Sequence, residues 1–134
     1  MGTEGHPMAD PALFENMTPD RDALAAYTVY FDYDSSVVKA SEKGKVADVA
    51  ASLNGDMANK LRIEGYCDER GTEGYNLALG ERRALALREA LVADGVSPDR
   101  IQTISYGEEH PVDPGHDEAA WARNRRGEFI LLRP

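Results

Sequence analysis

Residues 63–84 read IEGYCDERGTEGYNLALGERRA, and within them a strand pattern gives way to a helix across a short acidic turn. Leu61, Ile63 and Gly65 alternate with Arg62, Glu64 and Tyr66, the period of two expected for a strand with one buried face and one exposed face. The strand ends at CDERGT. From 73 to 93 the apolar residues recur at helical spacing, with Leu77, Ala84, Leu87 and Leu91 on one stripe. Arg83 falls at the edge of that stripe, on the face that carries Asn76 and Gly80, whereas Arg82 points elsewhere. The two arginines therefore have different expected tasks. Arg82 is a solvated charge, and Arg83 lies against packed side chains, where its guanidinium needs an acceptor from a protein carboxylate or from a ligand.

Outward from this stretch, strands are expected at 27–31, 101–106 and 127–132, and a first long helix at 40–53 with Val46, Val49, Ala50 and Leu53 inward. Asn54 and Gly55 stop that helix, Gly95 ends the second in a left-handed turn, and 117–123 reads as a short helix. Thr18, Pro19 and Asp20 read as the start of a short helix to residue 26. Residues 1–18, rich in Gly, Pro, Met and Asp, read as a flexible tether, and MGTEGHP as an expression-derived start or clipped linker; 19–134 is the domain. Alternating strands and helices predict an α/β two-layer sandwich, in which both long helices cover one face of a mixed four-stranded sheet. The loops after 27–31 and 61–66 then meet at one end. That end gathers Tyr33 and Asp34 from one loop, Asp68, Glu69 and Arg70 from the other, and the free N–H groups of the second helix.

With 24 acidic against 15 basic residues the net charge is −9, which disfavours a nucleic-acid backbone or an anionic membrane surface as partner. No apolar run reaches transmembrane length, and no charged start precedes an apolar stretch, so neither a spanning helix nor a signal peptide is read and the chain is expected to be soluble. Cys67, the single cysteine, allows no internal disulfide and reads as a small strand-end filler.

Six blocks, VYFDYDSS at 29–36, GYCDERGT, EGYNLALGERRA, Gly95-Val96, ISYGEEHP and GHDEAAWARNRR, resemble the OmpA-like peptidoglycan-binding domain over roughly 27–132. The likeness is strongest to its lipoprotein branch, which works with the Tol proteins. Tyr66 and Cys67 depart from that pattern, which often has His and a small residue or Thr there. The resemblance implies the OmpA-like fold, no cofactor, and no enzymatic activity. It implies non-covalent binding of peptidoglycan peptide stems through diaminopimelate, tethering the outer membrane to the cell wall from its periplasmic face. It also implies a Tol propeller protein as partner. Residue by residue, the family's key aspartate falls on Asp68 and its key arginine on Arg83, with Tyr33, Asp34, Asn76 and Leu79 in the pocket wall. Family members are lipidated on an N-terminal Cys; this chain has none, so membrane attachment is expected through a segment absent from it.

On chemistry alone, diaminopimelate presents an ammonium and a carboxylate on one carbon, which Asp68 and a planar fork from Arg83 would match. Alternatively Asp68 and Arg83 form a structural ion pair. Asn124, Arg125 and Arg126 include at least one residue that braces the last strand and the loops. Asn76 at an early helix position also suits local backbone bonding. Asp34, Asp68 and Glu69 could be a glycosidase carboxylate set, but that needs an acid of raised pKa, and the DERG turn is polar and arginine-bearing. His6, His110 and His116 lie at no metal-ligand spacing.

Overall fold

The protein, described here for residues 6–134 by a computed structural model, folds strand by helix around β3, Lys60–Tyr66. Before it come β1 (Thr18–Asp20), β2 (Val29–Tyr30) and α1 (Lys43–Gly55); after it come α2 (Glu73–Ala93), β4 (Ile101–Gly107), α3 (Glu118–Asn124) and β5 (Arg126–Arg133). The sheet order is β1-β5-β3-β4, with β2 also paired to β5. β3 and β4 run parallel across the α2 crossover, and every pairing with β5 is antiparallel. The mixed two-layer α/β sandwich is therefore as expected, with one more strand. The extra strand is β1, where a helix was predicted. Thr18, Pro19 and Asp20 pair with Arg133, Leu132 and Leu131, and Pro19 is tolerated because this is a sheet edge where its missing N–H is not needed.

Val46, Val49, Ala50 and Leu53 of α1 and Ala84, Leu87 and Leu91 of α2 pack on Leu61, Ile63, Ile101, Phe129 and Leu131. Leu77, expected on the stripe, is half-buried, and Leu79 is the buried leucine of that turn. Thr72 caps α2 by accepting from the Tyr75 N–H, and Gly95 ends it at φ 96°. A side chain at Gly65 would put its Cβ 1.9 Å from the Gly80 carbonyl oxygen, so α2 rests backbone against backbone on β3. This close seat fixes where Arg83, three residues on, meets the end of β3.

Two expectations fail on the outer face and at the chain start. Glu64, read as exposed by alternation, is fully buried. Arg21 forks onto its two oxygens at 2.9 Å each, Arg62 Nε donates at 3.0 Å and the Tyr66 hydroxyl at 2.6 Å. The segment after β1 roofs this face with Arg21, and burial of the carboxylate follows. Of the expected tether, residues 1–5, with most of the MGTEGHP start, lie outside the described residues. Residues 6–17 lie against the domain: Phe14 is buried, Lys60 Nζ donates to the Leu13 carbonyl, and buried Arg88 donates to the carbonyls of His6 and Pro7 at 3.1 and 2.7 Å.

Candidate functional site

At the carboxyl end of β3, the loop after β2, the DERG turn and the first turns of α2 enclose a cleft of about 110 Å³. It is lined by Tyr33, Asp34, Asp68, Asn76, Leu79 and Arg83, all six predicted site residues, and also by Cys67, Arg70, Gly71 and Tyr75. The volume is well below that of a site for a drug-sized ligand and fits a small polar head group.

Arg83 is completely buried. Nε donates to the Ser35 carbonyl at 2.8 Å, Nη1 to that of Tyr66 at 2.8 Å and Nη2 to that of Asp32 at 3.1 Å. Three of the five guanidinium N–H groups thus hold the two loops together, which leaves one on each terminal nitrogen. No carboxylate pairs with it among the described residues, and burial pushes its pKa down. Arg82, by contrast, is exposed and lies over the Tyr75 ring at 5.6 Å. The expected division between the two arginines therefore holds, with the addition that Arg83 is itself a brace.

The structural alternative, an Asp68–Arg83 ion pair, is not what the structure contains. Asp68 is paired with Arg70: the Arg70 N–H and Nε donate to Oδ1 at 3.0 and 3.3 Å, and Nη2 to Oδ2 at 2.8 Å. Arg125 Nη1 stands 3.6 Å from Oδ2. Burial alone would raise the Asp68 pKa, but these donors and charges outweigh it and hold the carboxyl below its usual range. The carboxylate is ionised, aimed, and still has acceptor capacity on Oδ2.

The supporting residues lock this arrangement. Asn76 Nδ2 donates to the carbonyls of Asp68 and Arg70 at 3.3 and 3.0 Å and to Glu108 at 2.7 Å, so it shapes the DERG turn. Tyr75 donates its hydroxyl to Asp34, which sits at φ 52°, a conformation that aspartate tolerates better than most residues. Asn124 Oδ1 accepts from the N–H groups of Val112 and Asp113, Arg125 Nε donates to the Phe31 carbonyl, and Arg126 to that of His110, so all three brace. Cys67 is buried, and burial pushes its thiol up to about 11, consistent with a filler.

Sequence reading missed that Arg70 takes the carboxylate of Asp68, and that Trp121 stacks on Arg70 from a distant helix. The opposite charges two positions apart in DERG were the available signal for the first; nothing marked the second. The hydrolase reading meets a physical obstacle. Asp68 is held low, and so is Glu69, by hydrogen bonds from Trp121 Nε1 at 2.8 Å and from His116 at 2.7 Å, opposite to what a general acid requires. The three histidines engage different partners: His6 meets Glu89, His110 stacks edge-on against Tyr106, and His116 meets Glu69. Among the described residues no helix is long and apolar enough to cross a membrane.

An α/β sandwich with a zwitterionic cleft at the β3–α2 junction is the class that fold and site define. Residues 30–125 match the OmpA family. A peptidoglycan-associated lipoprotein of Pseudomonas putida is 51% identical over 122 residues, 90% of this chain and 73% of that protein. One of Pseudomonas aeruginosa is 46% identical, over 90% of this chain and 72% of that protein. The crystal structure of the peptidoglycan-associated lipoprotein from Burkholderia pseudomallei superposes with a TM-score of 0.76 at 43% identity, covering 78% of this chain and 88% of that one. The chain belongs to the OmpA family, among its peptidoglycan-associated lipoproteins.

Proposed function

We propose that the cleft binds the peptide stem of peptidoglycan by the diaminopimelate side chain, and that the domain thereby tethers the outer membrane to the cell wall without catalysing a reaction. The observation that carries this reading is Arg83, a fully buried cation bordering the cleft with no protein carboxylate to pair with among the described residues, while the ionised Asp68 lines the same cleft. A carboxylate accepting the two remaining N–H groups of Arg83, with an ammonium donating to Asp68 Oδ2, satisfies both charges at once. A ligand that carries both groups on one carbon suits so small a volume. The names of the relatives support the same substrate and, with the family resemblance, a position at the periplasmic face of the outer membrane, anchored by a lipid on a preceding segment. The Tol propeller protein enters as a second partner on the resemblance alone. The test is sedimentation with purified sacculi: the protein co-sediments, is displaced by free meso-diaminopimelate, and releases no soluble muropeptide. Steady release of fragments, or no sedimentation, would contradict the reading.

A further inference from the structure

The rim of the cleft contains a second cation held in an unusual way. The Arg70 guanidinium lies between two aromatic rings, 4.1 Å from the centroid of Tyr33 and 4.1 Å from that of Trp121. The rings come from different parts of the chain, the loop after β2 and α3, and Trp121 is fixed in turn by its Nε1–H bond to Glu69. Two rings thus pack against the guanidinium, and Nε and Nη2 donate to Asp68. Nη1 is the one nitrogen without an acceptor among the described residues, although the side chain is 30% exposed and lines the cleft. Exposed arginines are ordinarily mobile and hydrated. Here the stacking and the Asp68 fork have already fixed the rotamers, so an anion meeting Nη1 orders nothing further. The nearby carboxylates are engaged elsewhere: Glu118 accepts from Arg125 at 3.0 Å and stays 3.9 Å from Arg70 Nη2, and Glu69 is bound by His116 and Trp121.

We propose that Arg70 is the anchor of a second anionic subsite, which takes the free α-carboxylate that a γ-linked glutamate places next to the diamino acid in the stem. This rests on the stem-binding reading above and adds a selectivity to it: the domain distinguishes a stem with that carboxylate free from one in which it is amidated. The distinction follows because amidation removes the charge and replaces one carboxylate oxygen with an N–H donor group, leaving Nη1 a single neutral carbonyl acceptor in place of a charge-assisted one.

The experiment is calorimetric titration of the full chain with two synthetic stem peptides, identical except that the glutamate α-carboxyl is free in one and an amide in the other. The wild type should bind the free acid about tenfold more tightly, as expected for one exposed charge-assisted contact. Arg70→Gln should bind the two peptides with equal affinity, and Arg70→Lys should retain part of the preference. Equal binding of both peptides by the wild type would overturn the proposal without any variant. So would a tighter Arg70→Gln, because Arg70 would then be competing for Asp68. If the wild type binds neither peptide nor free meso-diaminopimelate, the stem-binding reading itself falls, an outcome distinct from binding without preference.

Discussion

Replacing Arg83 with Met should damage the fold and the site together, because the same guanidinium braces two loops and faces the cleft. The substitution removes three hydrogen bonds from a charged donor, to the carbonyls of Asp32, Ser35 and Tyr66. Such bonds contribute about 1.5–3 kcal/mol each, and the loss is partly offset because the cost of burying a cation, several kcal/mol, is no longer incurred. A net loss of about 2–4 kcal/mol is the result, lowering the melting temperature of a domain of this size by about 5–15 °C. Stem binding should fall at least about tenfold from the lost fork to the ligand carboxylate. Arg82→Met, which removes only an exposed contact over Tyr75, should stay within about 0.5 kcal/mol of wild type in stability. Thermal unfolding and calorimetric titration of the three proteins under one condition provide the comparison. An Arg83→Met protein that melts with the wild type, or equal losses from the two arginines, would refute the assignment.

Asp68→Asn should separate what Arg83 joins: affinity for the stem falls at least about tenfold, while the loss of stability is smaller in free energy, because the amide keeps the shape and its oxygen still accepts from the Arg70 N–H. A variant that melts early yet binds normally when cold would make Asp68 structural. Gly65→Ala should cost about 3 kcal/mol, since its Cβ would collide with the Gly80 backbone, and an unchanged urea midpoint would mean that α2 and β3 do not touch there. Glu64 and Asp68 both have pKa values held below those of the unfolded chain, about 4.3 and 3.9. Their stabilisation is therefore complete above those values and is lost as pH falls through the lower folded-state pKa, so their contribution should hold between pH 7 and 5 and the urea midpoint should drop from pH 5 towards pH 3. In Glu64→Gln that acid limb should be shallower, and an identical limb would remove Glu64 from the account.

The elements legible in the sequence were those whose partners lie within one helix or strand. The apolar spacing of α1, the Gly95 terminator and the angle between Arg82 and Arg83 all follow from local sequence. What stayed hidden depends on contacts between distant segments. Alternation puts Glu64 on the outer face but says nothing of Arg21, 43 residues earlier, arriving to bury it. The short β1 exists only because β5 offers an edge. Arg88 reads as one more charge on α2, yet it is buried under the carbonyls of His6 and Pro7, about 80 positions away. The same applies within the site. The resemblance placed Asp68 and Arg83 at one cleft, but Arg70 as the partner of Asp68, and Trp121 as the ring that fixes Arg70, required the three-dimensional arrangement of the DERG turn and α3.

Amide chemical-shift titration with a meso-diaminopimelate muropeptide decides whether a zwitterionic amino-acid head binds between Asp68 and Arg83, as proposed. The shifts should concentrate in residues 32–36, in 66–71 and at the first turns of α2, and an otherwise identical muropeptide with lysine at that position, which lacks the side-chain carboxylate, should produce them only at much higher concentration. Shifts centred on the outer face around Glu64 and Tyr106, or equal response to the lysine muropeptide, would contradict it.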